Sequence, residues 1–119
     1  MVLKRREIWK ARNILKLHIN GEVIIVVPEL FYYEISNALK YKKTTQEKVK
    51  AASEDLFNFQ LNTQQISSDI IKGSIDISFK YGLTIYDSIY LILAEKLNAK
   101  LITEDKQVLS LKHPLVEEL

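Results

Sequence analysis

The hydrophobic and polar positions change period along the chain, and those changes mark the elements. Across residues 3–20, Ile8, Ala11, Leu15 and Ile19 recur at three- and four-residue spacing. Lys4, Arg5, Arg12 and Lys16 fall mostly on the other side, which predicts an amphipathic helix that Gly21 can stop in a left-handed conformation. Residues 23–27 (Val-Ile-Ile-Val-Val) lack polar alternation and read as a strand buried on both faces. Pro28 then pre-sets the first turn of a helix over 30–41. Thr44 with Glu47 forms a capping-box signature, followed by Val49, Ala52, Leu56 and Phe59 at helical spacing. Residues 64–67 suit a short strand. Ser68 can cap a helix bearing Ile71, Ile75 and Phe79, closed by Gly82. Thr84 opens the strongest pattern, with Ile85, Ile89, Ile92, Leu93 and Leu97 inward and Asn98 able to end it. Residues 100–103 make a further short strand, and 108–119 form a weakly patterned tail.

Helices alternating with short apolar strands predict an α/β fold, a parallel sheet with helices on both faces. With 119 residues the chain is long enough for one domain, spanning 1–119, and no run is apolar enough to cross a membrane. Absence of a signal-peptide core and of cysteine suits a cytoplasmic protein without disulfides or thiolate chemistry. His18 and His113 are read as surface or packing residues, so chemistry here has to run on carboxylates, hydroxyls, amides or lysines. Charge is split unevenly: residues 1–50 hold eleven Lys and Arg against five acids, and residues 51–119 hold six against ten. Such a division suits a phosphate-attracting surface beside a cation-holding pocket, although solvated helix faces give the same count.

Ligands of parallel sheets bind at the carboxyl ends of the strands. Three acids reach that edge by connectivity. Asp105 follows the strand 100–103 closely. Asp87 lies in the first turn of a helix running antiparallel into that strand, and Glu34 lies early in the helix leaving the strand 23–27. Two carboxylates about 4 Å apart repel by about 1 kcal/mol in water and about 4 kcal/mol at an effective dielectric near 20. A hard divalent ion, Mg²⁺ or Mn²⁺, relieves that repulsion and can activate water for phosphodiester cleavage. Plainer roles exist for each: Asp87 as a cap beside Thr84, Asp105 as a turn or N-cap, Glu34 as a solvated helix acid. Asn37 shares the face of Glu34 and can orient it, touch substrate or do neither. Glu29 and Glu104 read as surface acids, and Tyr32, Tyr41 and Tyr86 as core, rim or base-stacking residues.

The stretch Val-Pro-Glu-Leu-Phe-Tyr-Tyr-Glu-Ile-Ser-Asn-Ala-Leu at 27–39 resembles the V-P-x-L-x-x-x-E-x-x-N-x-L stretch of PIN domains, specifically VapC-type toxins. Residues 82–94, with Tyr86-Asp87 and Tyr90-Leu91, run on to Leu101, Thr103 and Asp105 and resemble that family's Y-D-x-x-Y-L-x-L-A … L-x-T-x-D signature. The resemblance implies a PIN-like three-layer α/β/α sandwich and a Mg²⁺- or Mn²⁺-dependent ribonuclease acting on RNA. It implies Glu34, Asp87 and Asp105 as metal-lining acids, with Thr103 and Asn37 behind them or at substrate. It also implies a homodimer neutralised by a VapB-type antitoxin. Members of this family open with an apolar strand ending in an aspartate. Here the opening is Met-Val-Leu-Lys-Arg-Arg and no aspartate precedes Asp55, so the N-terminal strand is expected to be missing along with one of four acids. A non-catalytic module acting by dimerisation or antitoxin binding is the second expectation, and a basic nucleic-acid adaptor using Lys4 to Lys16 a third.

Overall fold

A computed structural model describes residues 1–4 and 11–119. Ile8, assigned above to the first helix, and Arg5, Arg6 and Glu7 lie outside the described residues. The elements are β1 (Val2–Lys4), α1 (Arg12–Ile19), β2 (Val26–Pro28), α2 (Leu30–Lys40), α3 (Gln46–Asn58) and β3 (Asn62–Gln64). They continue with α4 (Ser68–Tyr81), α5 (Ile85–Leu97), β4 (Leu101–Thr103), α6 (Lys106–Leu109) and β5 (Val116–Glu118). The five strands pair in the order β3-β2-β1-β4-β5, all parallel. Helix α5 lies against β1, β2 and β4, while α4 packs on α5 and α2 packs on α3 and β2. This is the α/β architecture that the periodicity predicts.

The N-terminal strand, expected to be missing, is present and central. Val2 and Leu3, at 0 % exposure, fill the middle of the sheet, so the helix expected from Leu3 gives way to a strand there. The Val2 amide donates to the Lys100 carbonyl at 2.7 Å, and the Val26 amide donates to the Met1 carbonyl at 2.8 Å. Without that strand, β2 and β4 would each leave backbone groups unpaired in the core, at about 1–3 kcal/mol per group. Three residues meet this demand because parallel strands in the core need only be short and apolar.

Smaller departures have local causes. Pro28 ends β2 opposite Gln64 rather than starting α2, as its missing N–H permits at a strand end. The caps of α3 and α4 are Thr45 and Ser67, each one residue earlier or later than the patterns suggest. Helix α4 is turned relative to its most hydrophobic stripe: Ile70, Ser74 and Ile77 are buried, whereas Ile71, Ile75 and Phe79 face outward. Gly73 accounts for this, since a Cβ there would lie 2.6 Å from Ile92 Cγ1 on α5. Close approach of the two helices therefore selects the small-residue face. Ser74 satisfies its own hydroxyl by donating to the Ile70 carbonyl at 2.6 Å. The tail contributes β5, an edge strand beside β4.

Candidate functional site

At the carboxyl edge of the sheet, the ends of β1 and β4 meet the first turns of α5 and α6. Thr84 caps α5 by accepting from the Asp87 amide at 3.1 Å, which sets the Asp87 side chain in the opening turn. Thr103, 1 % exposed at the end of β4, accepts the Asp105 amide at 3.0 Å and turns the chain into α6. Asp105 caps that helix through Oδ1, accepting from the Gln107 and Val108 amides at 2.9 and 3.3 Å. Gln107 Nε2 donates to the Gly82 carbonyl at 3.2 Å, tying the two turns together.

Between the two aspartates stands a cation that the sequence reading did not place there. Lys4 is the last residue of β1, in register with Thr103. Its Nζ lies 3.1 Å from Asp87 Oδ1 and 3.4 Å from Asp105 Oδ2. The Lys4 and Asp87 side chains are only 11 % and 16 % exposed, so solvent screens this pair little. The ammonium also lies 5.5 Å from the centroid of the Tyr90 ring. Tyr90, 1 % exposed on α5, donates its hydroxyl to Glu34 Oε1 on α2. Burial, then the negative charge and hydrogen bond of Glu34, push the Tyr90 phenol well above its ordinary value, so its proton stays on oxygen. At Asp105, burial pushes the carboxyl up. The Val108 amide, the Lys4 ammonium and the Gln107 amide outweigh that and hold it below its ordinary value.

The fold thus brings Asp87, Asp105 and Thr103 into one hydrogen-bonded group, with Glu34 joined to it through Tyr90. Asn37 sits exposed on α2 and lines a surface depression between α2 and α3 with Tyr33, Ser36 and Lys40. Glu29 and Glu104 are exposed. The Tyr32 ring stacks on Phe57, centroids 4.5 Å apart, while Tyr41 and Tyr86 are exposed. Both histidines serve packing: His18 Nδ1 accepts from the Ile25 amide at 3.0 Å, and His113 Nδ1 accepts from the Leu115 amide at 3.1 Å.

A divalent ion does not fit the site as arranged. Among the described residues no three His, Cys, Asp or Glu side chains are grouped to hold a metal, and the space between Asp87 and Asp105 carries the Lys4 ammonium. One signal of Lys4 was in the sequence: Val2-Leu3-Lys4 has the form of a short apolar strand ending in a charged residue.

Residues 4–113 match the family model described as PIN domain. The chain belongs to the PIN domain family. This PIN chain is 33 % identical over 85 residues to Ribonuclease VapC3 of Pyrobaculum aerophilum, a match covering 67 % of the chain and 65 % of that relative. It therefore spans just under two thirds of the relative's length. The fold is similar to the crystal structure of PAE2754 from Pyrobaculum aerophilum, with a TM-score of 0.74 and 21 % identity, over 98 % of this chain and 87 % of that one.

Proposed function

We propose that this chain is a VapC-like PIN module that works in the cytoplasm by binding a VapB-type antitoxin and a second copy of itself, without cleaving RNA. The observation that carries the reading is the Lys4 ammonium bonded to both Asp87 and Asp105. Carboxylates already neutralised from within have less attraction for a divalent ion, and the ion must displace a buried cation to enter.

Two surfaces suit the binding role. An apolar groove between α1 and α3 is lined by Leu15, Ile19, Leu56 and Phe59, with Arg12 and Lys16 on the α1 side and Asp55 on the α3 side, a match for an apolar segment that carries charges of both signs. On α4, Ile71, Ile75 and Phe79 form an exposed stripe at four-residue spacing. Antiparallel pairing of this helix with its copy about Ile75 sets Ile71 of each opposite Phe79 of the other, which favours a two-fold dimer.

A second reading, a Mg²⁺- or Mn²⁺-dependent ribonuclease, draws on the convergence of Glu34, Asp87 and Asp105 on one edge, with Lys4 swinging out to admit the metal. Incubation of the protein with single-stranded RNA and Mn²⁺ separates the two. The binding module leaves RNA as intact as its Asp87→Asn variant does. Cleavage that needs Mn²⁺ and disappears in both Asp87→Asn and Asp105→Asn selects the ribonuclease.

A further inference from the structure

The misfit between the acid edge and a divalent ion has a specific source. We infer that Lys4 is the resident cation of this pocket: its ammonium takes the electrostatic place of a metal ion, and its removal opens a latent Mn²⁺ or Mg²⁺ site on Asp87 and Asp105. The inference rests on the proposed function in taking the Lys4 contacts as the working state of the protein.

Three features on different elements lead to it. First, one atom touches carboxylates from two separate helix starts, Asp87 at 3.1 Å and Asp105 at 3.4 Å, so a single point serves both as a cation position. Second, neither acid can easily leave. Asp105 is held by the Gln107 and Val108 amides, and the Asp87 backbone is pinned by Thr84, so loss of the lysine leaves two fixed negative charges facing each other. Third, the lysine is fixed at its root. Its strand lies between β2 and β4, Leu3 pairs with Ile102, and Lys4 pairs with Thr103. Mg²⁺–oxygen distances are about 2.0–2.1 Å, so the carboxylates need to close by about 1 Å on an ion smaller than an ammonium.

The chemistry makes a rescue experiment decisive. Lys4→Met keeps the apolar stem of the side chain and removes only the charge. Melting of the intact chain is followed in EDTA and in millimolar Mn²⁺ for the wild type, Lys4→Met and Lys4→Met/Asp87→Asn. The wild type is expected to melt at one temperature in both solutions. Lys4→Met is expected to fall by at least about 4 °C in EDTA and to regain most of that in Mn²⁺. The double variant is expected to show no recovery.

An Asp87-dependent rise of the wild type in Mn²⁺ overturns the inference, because the pocket is then already open. A Lys4→Met protein as stable in EDTA as the wild type overturns it as well, and so does a loss that Mn²⁺ fails to reverse. Should Lys4→Met be unfolded in EDTA, far-ultraviolet circular dichroism on adding Mn²⁺ decides: refolding supports the inference and continued disorder refutes it. No RNA is present, so a Lys4→Met protein indifferent to Mn²⁺ refutes the latent site and leaves the absence of cleavage untouched.

Discussion

The hydroxyl of Tyr90 is a single atom whose removal tests how the edge is built. Tyr90 is buried, donates to Glu34 and presents its ring to Lys4 at 5.5 Å. Tyr90→Phe keeps the ring and its contact with the ammonium, so the change isolates the hydrogen bond. Bonds to a charged partner contribute about 1.5–3 kcal/mol. Glu34 is half-exposed and regains water on one side, which puts the expected loss at the lower end, about 1.5 kcal/mol. For a chain of this size that corresponds to a fall in Tm of roughly 6 °C in calorimetry or urea-melt equivalents. A double-mutant cycle with Glu34→Gln should return a coupling of about 1 kcal/mol, since the two side chains touch. Because burial and Glu34 keep the phenol protonated, the loss should not vary between neutral and mildly alkaline pH. A Tyr90→Phe protein as stable as the wild type, or costs that simply add in the cycle, refute the bond as a structural tie between α2 and α5.

Further outcomes follow from other contacts. The Asp105 carboxyl is held below its ordinary value, so its stabilising contribution is complete above the unfolded value near about 3.9 and is lost as pH falls through the lower folded value. Asp105→Asn should therefore flatten that part of an acid-unfolding curve, and an unchanged curve contradicts the cap and ion pair. Gly73→Ala inserts a Cβ within 2.6 Å of Ile92 and should cost about 1–3 kcal/mol of packing, partly offset by about 1 kcal/mol of helix propensity. Adding Ile92→Ala should relieve the clash, and a thermal melt of both variants checks it. Ile75→Lys should convert a dimer to a monomer in sedimentation with little change in Tm, because Ile75 is 41 % exposed within one copy. A dimer that survives the substitution rules out the α4 stripe as its interface.

What could be read from the residues depended on how local the cause was. Helix α5 was legible from Thr84 to Asn98 because its caps are coded within one segment. Its buried face was read only in part: Ile89 and Leu93 are buried as expected, whereas Leu97 is exposed and Tyr90, Leu91 and Ala94 are buried instead. From its sense relative to β4 came the meeting of Asp87 and Asp105, a deduction needing only connectivity. The β1 strand was marked only by the apolar pair Val2-Leu3 before a charge, a weak sign because three residues carry no period and the strand's reason to exist is the gap between β2 and β4. Lys4 reaches a partner 101 positions away, and no spacing rule spans that distance. Helix α4 misled for another reason. Hydropathy weights Ile71, Ile75 and Phe79, whereas the close face against α5 is chosen by the small residues Gly73 and Ser74.

The central claim is that a lysine of this chain, and not a metal ion, neutralises the acid edge. Crystals grown in millimolar Mn²⁺ and measured at the manganese absorption edge test it most directly. No anomalous peak is expected between Asp87 and Asp105, with Lys4 Nζ in contact with both carboxylates. A manganese peak at that point, with the Lys4 side chain turned away, would contradict it.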